Sequence, residues 1–302
     1  MPELPDLELY LDAMRERIVD TTLERVRLAS PFLLRSVTPP IDSAAGKRLL
    51  GIERLGKRLI FELEEGPFLI VHLMIAGRFQ WRDRNATIPK RLGLAAFDFS
   101  SGTLLLTEAS KQKRASLHLV ADRAALVEFD RGGIDPLSCS VEEFAEALRR
   151  ETHTIKRSLT DPRLLSGIGN AYSDEILHAA KLSPFTRTDR MDDATIQELH
   201  KATIDVLTTS LERLRQERKE RFPAKVTAFH PAMAVHGKYG QPCPVCGDPV
   251  QRIVYASNEA NYCATCQTGG KLLADRALSR LLKKDWPRSL EELEQRLNRE
   301  RD

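Results

Sequence analysis

Four cysteines near the carboxyl end constrain the fold of this chain more than any other feature. They form two Cys-x-x-Cys pairs, Cys243 with Cys246 and Cys263 with Cys266, and sixteen residues separate the pairs. This spacing lets two tight turns present four thiolates to one tetrahedral Zn²⁺, with a β-hairpin predicted between them. Because four protein sulfur atoms leave no coordination position for a reactive water, we expect one structural zinc ion per chain. An iron–sulfur cluster and a redox-active disulfide remain as lesser alternatives.

Length and composition set the broad class of the protein. A chain of 302 residues with 42% apolar residues is long enough for two or three domains with their own cores. No apolar run approaches the ~18 residues of a membrane span, and the amino terminus lacks an apolar signal region. Cysteines crowded at metal-ligand spacing indicate a reducing compartment, and Cys139 is expected to be an inert thiol. We therefore expect a cytoplasmic protein with no membrane partner.

Charge alone does not define a partner. The net charge of +3 and the pI near 8.6 are only mildly basic. Positive residues cluster at 111–114 and at 213–225, but the second cluster also contains glutamates, which is typical of a solvated helix face with ion pairs.

The amino terminus carries a candidate nucleophile. A small second residue such as Pro2 permits removal of Met1, which would leave a secondary amine at the chain start. An α-amino group titrates near ~7.7 to 8.0, so part of it is unprotonated and nucleophilic at neutral pH, whereas a lysine at ~10.4 is not. Glu3 stands beside that amine and can move a proton to or from a substrate. Taken alone, a proline-stiffened start is more often a frayed end.

Apolar periodicity predicts a β-rich first half and a helical second half. Spacings of three and four predict a helix over Pro5 to Val19, and short apolar runs up to Val127 predict an antiparallel β-sandwich. The turn-rich stretch Gly132 to Pro136 separates this half from amphipathic helices. We predict five segments: a catalytic β-sandwich domain over 1–131, a linker and leading helix over 132–151, a helix-two-turn-helix domain over 152–235, the four-cysteine zinc finger over 236–270, and a helical extension over 271–302.

Several motifs occur together and in one order. Pro2 to Pro5 heads the first helix, Gly56-Lys57-Arg58 precedes a strand, and Asp161 to Glu175 contains a Gly-Ile-Gly-Asn turn that precedes a helix. With the cysteine pairs, this set resembles the formamidopyrimidine-DNA glycosylase and endonuclease VIII family, up to about Gln267. The resemblance implies an α+β multidomain fold with an amino-terminal β-sandwich, a helix-two-turn-helix domain and a zinc-finger hairpin. It also implies a bacterial, nucleoid-associated, monomeric DNA N-glycosylase and abasic-site lyase.

The resemblance assigns roles to individual residues. Pro2 would form a Schiff base with the deoxyribose of damaged double-stranded DNA, Glu3 would assist as acid and base, and Lys57 would contact phosphate beside the lesion. Ile75 would enter the gap left by the extruded nucleotide. The remaining DNA-binding residues that it implies are Lys156, Asn170, Lys238 and Asn258.

The chain departs from the family pattern at four places. Ile75 stands where methionine is usual, and Asp6 where glutamate is usual. The segment from Thr107 to Leu117 lacks the aromatic residue with which relatives probe the base opposite the lesion. Asn258 replaces an arginine, which removes a charge and a bidentate phosphate contact, and Arg252, Lys238 and Lys271 are candidates to compensate.

These departures keep two rival functions open. One is a catalytically silent protein that binds damaged or abasic DNA with the same fold. The other is a zinc-ribbon nucleic-acid adaptor, which explains the cysteines but not the amino terminus. Oxidised pyrimidines, ring-opened purines and bulkier adducts are all compatible with the sequence as lesions.

Overall fold

The computed structural model describes residues 1–223, 226–227, 229–255, 258–274, 281 and 286–299. The chain divides into two compact units. The first unit comprises Met1–Asp135 and Leu207–Ala228, and the second comprises Pro136–Val206 and Phe229–Asp302. The five-segment division proposed from the sequence stays a prediction. Among the described helices, none has both the length and the apolar character needed to cross a lipid bilayer.

The first unit begins with helix α1, Leu4–Ile18. Pro5 occupies its first turn, where the missing N–H costs nothing, and arginines occupy its last turn. The apolar face predicted from the spacing is confirmed, because all of its members are buried: Leu4, Leu7, Leu11, Met14 and Ile18. The helix thereby fixes the start of the chain against the core of the first unit.

The first unit also contains eight antiparallel strands. Their bounds are β1 Thr22–Leu28, β2 Lys47–Leu55, β3 Arg58–Leu63, β4 Phe68–His72, β5 Gly77–Arg82, β6 Gly93–Phe99, β7 Gly102–Glu108 and β8 Ser116–Val120. They are hydrogen-bonded in the order β5-β7-β6-β1-β2-β3-β4-β8. Only two residue pairs join β1 to β2, so the ladder separates into two four-stranded layers at that point.

The two layers enclose one apolar core. The ring of Phe61 in β3 stacks on Phe97 in β6 with centroids 6.2 Å apart, and Phe79 in β5 meets both rings edge-on. These contacts join the two layers face to face, as in a β-sandwich. The predicted antiparallel sandwich is therefore confirmed.

The second unit is helical before it reaches the cysteines. Its helices are α2 Val141–Arg149, α3 Ile155–Thr160, α4 Asn170–Ala179 and α5 Asp193–Arg218, and the division between the two units falls within α5. Gly167 adopts a φ of +84° in the turn between α3 and α4, a conformation that favours glycine. The predicted Gly-Ile-Gly-Asn turn and the helix that follows it are confirmed, whereas Asp161 and Pro162, where the sequence predicts the start of a short helix, follow the end of α3.

The cysteine region contains the predicted hairpin. Strands β9, Gln251–Tyr255, and β10, Asn258–Tyr262, pair antiparallel, and a short helix α6, Ala264–Thr268, follows. Within the predicted extension over 271–302, the structure describes one helix, α7, Leu290–Arg299. Residues 275–280, 282–285 and 300–302 of that extension lie outside the described residues.

Candidate active site and zinc centre

The amino-terminal amine lies among charged groups of the first unit. Pro2 and Glu3 are buried at the start of α1, with Glu3 only 3% exposed. Burial lowers the pKa of the Met1 amine from its usual value near 8.0. The Glu3 and Asp6 carboxylates oppose this shift in pKa, and the Arg78 and Lys57 side chains reinforce it. The amine is therefore closer to its neutral, nucleophilic form than a solvated one.

Lys57 reaches this cluster from a distant part of the chain. It stands in the two-residue turn between β2 and β3, where Gly56 adopts a φ of +62°. Burial lowers the pKa of the Lys57 ammonium, and the nearby Glu3 carboxylate opposes that change. The structure thus brings two of the predicted catalytic residues, Glu3 and Lys57, into electrostatic contact.

Asp6 and Arg78 belong to the same cluster, although sequence reasoning assigned neither of them a catalytic or DNA-binding role. The Asp6 carboxylate accepts a hydrogen bond of 2.9 Å from the backbone N–H of Glu3. Burial nevertheless raises the pKa of Asp6 to about 7, because desolvation outweighs that bond. Arg78 donates to the carbonyl oxygens of Ile75 and Gly77 and lies near the amine. The Glu3–Asp6 bond has the three-residue spacing of a helix capping box, whereas the approach of Arg78 leaves no signal in residue spacing.

Ile75 projects from a tight turn between β4 and β5. Its side chain is 58% exposed, which is unusual for isoleucine, and the preceding Met74 adopts a φ of +51°. The N–H of Gly77 donates to the carbonyl of Leu73 over 2.9 Å and closes the turn. An exposed apolar side chain on a closed turn has the form of a wedge that can enter a base stack.

The loop between β7 and β8 is organised by a buried acid. The Glu108 side chain is 1% exposed and accepts hydrogen bonds from the backbone N–H groups of Arg114 and Ala115 at 2.9 to 3.1 Å. Lys113 donates to the Glu108 carbonyl oxygen. Glu108 therefore holds this loop by hydrogen bonds. The loop is the segment in which the sequence lacks the aromatic residue that relatives use to probe the opposite base.

Two of the four predicted DNA-binding residues of the second unit meet around α4. Asn170 is the first residue of α4, and its side-chain amide donates to the carbonyl oxygen of Glu259 in β10 over 2.7 Å. Lys156 contacts the Asn170 carbonyl oxygen at 3.2 Å, the Ser173 hydroxyl at 2.9 Å and the Asp174 carboxylate at 2.5 Å. Lys156 is thus already paired within the unit, a state that its position in the sequence did not indicate.

The other two predicted contacts lie on the zinc-finger side of the second unit. Lys238 is half-buried and its backbone N–H donates to the Val235 carbonyl. Asn258 begins β10, where its backbone pairs with Tyr255. Arg252, a candidate to replace the missing charge, lies 4.2 Å from the ring centroid of Tyr239 and 3.6 Å from the Glu259 carboxylate.

Glu175 of α4 holds the segment that leads into the finger, a role that the sequence did not reveal. Its carboxylate accepts three backbone hydrogen bonds, from Ala234 at 2.6 Å, Val235 at 2.9 Å and His236 at 2.8 Å. The ring of His236 also lies 2.7 Å from the Asp174 carboxylate. Helix α4 is therefore fixed to the start of the finger by two adjacent acids.

The four predicted metal ligands converge in the second unit. The sulfur atoms of Cys243, Cys246, Cys263 and Cys266 all lie within 4.8 Å of one another. Two of their separations are 3.9 and 3.4 Å. A tetrahedral site with Zn–S bonds of ~2.3 Å requires sulfur atoms ~3.8 Å apart, so the arrangement fits zinc. With four thiolate ligands, the ion is structural rather than catalytic.

Comparison with known proteins agrees with this arrangement along the chain. Residues 1–120 match the formamidopyrimidine-DNA glycosylase N-terminal domain, residues 133–220 match the H2TH domain of the same enzymes, and residues 240–269 match the zinc finger found in FPG and IleRS. The formamidopyrimidine-DNA glycosylase of Thermus thermophilus is 32% identical over 276 residues, which cover 89% of this chain and 100% of that protein. A formamidopyrimidine-DNA glycosylase-like protein of Mycobacterium tuberculosis is 43% identical over 151 residues, which cover 50% of this chain and 94% of that protein.

Solved structures of Fpg bound to DNA match the fold of this chain. The complex of Lactococcus lactis Fpg with DNA containing an abasic site matches with a TM-score of 0.77 and 26% identity, over 88% of this chain and 99% of that one. A mutant of the same enzyme in complex with DNA that contains Fapy-dG matches with a TM-score of 0.76 and 26% identity, over 88% of this chain and 100% of that one.

The β-sandwich, the helix-two-turn-helix domain and the zinc finger together define the DNA-binding fold of a DNA-repair glycosylase. Within that class, the chain belongs to the formamidopyrimidine-DNA glycosylase family. The fold class and the structural zinc predicted from the sequence are confirmed.

Proposed function

We propose that this protein excises damaged bases from double-stranded DNA and then cleaves the strand at the abasic site, through a Schiff base on Pro2. The observation that carries the proposal is the surroundings of the amino terminus. Burial lowers the pKa of the Met1 amine, and the Glu3 carboxylate and the Lys57 ammonium lie close enough to act on an amine at this end of the chain. Once Met1 has been removed, the nucleophile is the secondary amine of Pro2.

In the first step, the Pro2 nitrogen attacks C1′ of the damaged nucleotide. The bond from C1′ to the base breaks, the base leaves with the bonding electrons and takes up a proton, and the sugar ring opens. The Glu3 carboxyl supplies the proton that the ring oxygen needs as it leaves C1′. Proline nitrogen and sugar carbon are then joined as an iminium ion.

In the second step, the iminium ion withdraws electrons from the sugar and makes the C2′ proton acidic. Loss of this proton expels the 3′ phosphate and nicks the strand, and water then hydrolyses the iminium ion to release the enzyme. We propose that Lys57 contacts phosphate on the first unit. On the second unit, Asn170, Lys238 and Asn258 are the proposed contacts, together with Lys156, which would exchange one of its three partners within the unit for phosphate. Binding should weaken steeply with salt because phosphate contacts release counterions.

A damaged base cannot be attacked inside the duplex, so the nucleotide must be extruded. We propose that the exposed Ile75 fills the space that the nucleotide leaves. The closed turn between β4 and β5 supports this role, because it presents an apolar side chain that the core of the first unit does not use. Isoleucine and methionine have similar volumes, so the exchange at this position preserves the wedge.

Borohydride trapping on DNA with an abasic site tests the proposal. Reduction of the iminium ion should join wild-type protein to DNA, whereas Pro2→Gly, which lacks the secondary amine, should give little product. Mass spectrometry of the purified protein should show that Met1 is absent. Glu3→Gln should bind the same DNA but form less of the crosslink.

Two results would contradict the proposal. If wild type binds abasic DNA tightly and gives no crosslink, the protein is a silent damage-binding protein. If the mature protein retains Met1 and still crosslinks, the nucleophile is not Pro2.

A further inference from the structure

His178, in the last turn of α4, contacts one of the zinc ligands. Its Nε2 atom lies 3.3 Å from the sulfur of Cys243, and its side chain is only 6% exposed. Within the described residues, the four groups that converge on the metal site are all cysteines, so His178 is not among them. Sequence reasoning assigned no role to this residue.

The chemistry of a metal-bound thiolate fixes the direction of this contact. A thiolate on zinc has no proton to give, so it can only accept, and Nε2 of His178 must carry the hydrogen. Four thiolates around one Zn²⁺ leave an excess of negative charge in a partly buried site, and N–H donors disperse that charge. Cys243 also receives backbone hydrogen bonds from Val245 and Cys246. His178 adds the side-chain donor, and it comes from another element.

The remaining contacts of α4 reach the same region. Asn170, Asp174 and His178 are spaced four residues apart and therefore lie along one face of the helix. Asn170 contacts the carbonyl of Glu259 in the hairpin, Asp174 contacts His236, and His178 contacts a zinc ligand. One helix face thus joins the proposed phosphate contact at its first residue to the metal site at its end.

We propose that His178 is a positioning residue of the zinc centre, which holds the Cys243 thiolate by an N–H···S hydrogen bond and ties zinc retention to helix α4. The inference rests on the zinc site and the helix, and it holds whether or not the protein forms a Schiff base. Partners that hydrogen-bond to metal ligands typically change metal affinity by about 10- to 100-fold.

The first test is the rate at which full-length, zinc-loaded protein releases zinc to a chromogenic chelator. His178→Phe fills the space without a donor and should release zinc about tenfold faster than wild type. His178→Gln retains an N–H donor and should fall between the two. His200→Phe is the matched control. The Nε2 atom of His200 lies 3.1 Å from the carbonyl oxygen of Cys139, a cysteine that is not a zinc ligand. It should release zinc at the wild-type rate.

A second readout separates the hydrogen bond from a general loosening of the fold. In protein loaded with Co²⁺, loss of a donor to sulfur raises the energy of the sulfur lone pair. The sulfur-to-cobalt charge-transfer band of His178→Phe should therefore shift to longer wavelength, while that of His200→Phe should not. Equal release rates and an unmoved band in His178→Phe would overturn the proposal. Ligand-field bands that indicate loss of a nitrogen ligand would also overturn it, because His178 would then bind the metal itself.

Discussion

Asp6 and Lys57 are both moved toward their neutral forms, because protein atoms replace water around them. Burial raises the pKa of the Asp6 carboxyl to about 7 and lowers the pKa of the Lys57 ammonium. The same cause lowers the pKa of the amino-terminal amine. An amine whose pKa is lowered by burial suits a mechanism in which it must act as a nucleophile.

Asp6 also makes the stability of the first unit depend on pH. An acid whose pKa is higher in the folded than in the unfolded state stabilises the fold while it is protonated. This contribution is complete below the unfolded pKa of ~3.9 and is lost as pH rises through about 7. Between pH 5 and pH 8, we expect the free energy of unfolding of wild type, relative to Asp6→Asn, to fall by about 2 to 3 kcal/mol. Urea unfolding of both proteins at pH 5 and at pH 8 measures this change in the free energy of unfolding.

Asp98 provides the control for this experiment. Hydrogen bonds from Arg27, Arg25 and Thr103 outweigh burial and lower the pKa of Asp98 to about 2. This carboxylate is ionised in both the folded and unfolded states above pH 5, so the difference between wild type and Asp98→Asn should not change between pH 5 and pH 8. If the difference in free energy of unfolding between wild type and Asp6→Asn is also the same at pH 5 and pH 8, Asp6 is not protonated near neutral pH.

The elements of the first unit act by presenting side chains in fixed turns. Lys57 stands between β2 and β3, and Ile75 stands between β4 and β5. The strands around Lys57 are antiparallel neighbours, so their register fixes where its turn begins, and pairing of β4 with β3 fixes the strand end that precedes Ile75. In the second unit, helix α4 positions the side chains. Asn170 is its first residue, and Glu175 and His178 contact the finger.

Gly77 tests whether the turn that carries Ile75 must be closed. A Cβ on this glycine would lie 2.2 Å from the Leu73 carbonyl oxygen, so alanine must push backbone apart. We expect Gly77→Ala to lower the free energy of unfolding by about 1 to 3 kcal/mol and to impair base excision. Gly51→Ala in β2 is the matched control, because nothing lies within 4 Å of its added Cβ. Equal unfolding midpoints in urea for the two variants would contradict this account of the turn.

Across the molecule, the first unit and the zinc finger are stabilised differently. The main core of the first unit includes residues of α1 and of all eight strands. The core around the metal is small: its four buried members are the ligands Cys243 and Cys263 and the side chains of Val235 and Val250. The finger has another buried apolar cluster, Ile253, Tyr262, Ala264 and Leu272. We expect clusters of this size not to offset the entropy of ordering the finger without metal.

Removal of zinc should therefore affect the finger and the first unit unequally. We expect chelation to abolish hydrogen-exchange protection in β9, β10 and α6, while β3, β4 and β7 keep theirs. Binding to abasic DNA should weaken at the same time, since Asn170 is tied to the hairpin. Cys139→Ser should leave zinc content and protection unchanged, because Cys139 is not a ligand. Retained protection throughout 243–268 without metal would show that the finger folds unaided.

Features that depend on neighbouring residues could be predicted from the amino-acid order alone. Apolar spacing predicted α1, alternation and turn residues predicted the strands, and the two Cys-x-x-Cys pairs predicted the zinc centre. Each of these signals works over a few residues, because helix period, strand period and ligand spacing are local geometry. The Gly-Ile-Gly-Asn turn likewise indicated the start of α4.

The effects of distant groups on one another became visible only in the folded chain. Folding places Lys57 beside Glu3, pairs Lys156 with Asp174, and sets His178 against Cys243. It also raises the pKa of Asp6 to about 7. These facts depend on strand register, on helix packing and on the exclusion of water, which arise once the whole chain has folded and which no short stretch of sequence encodes.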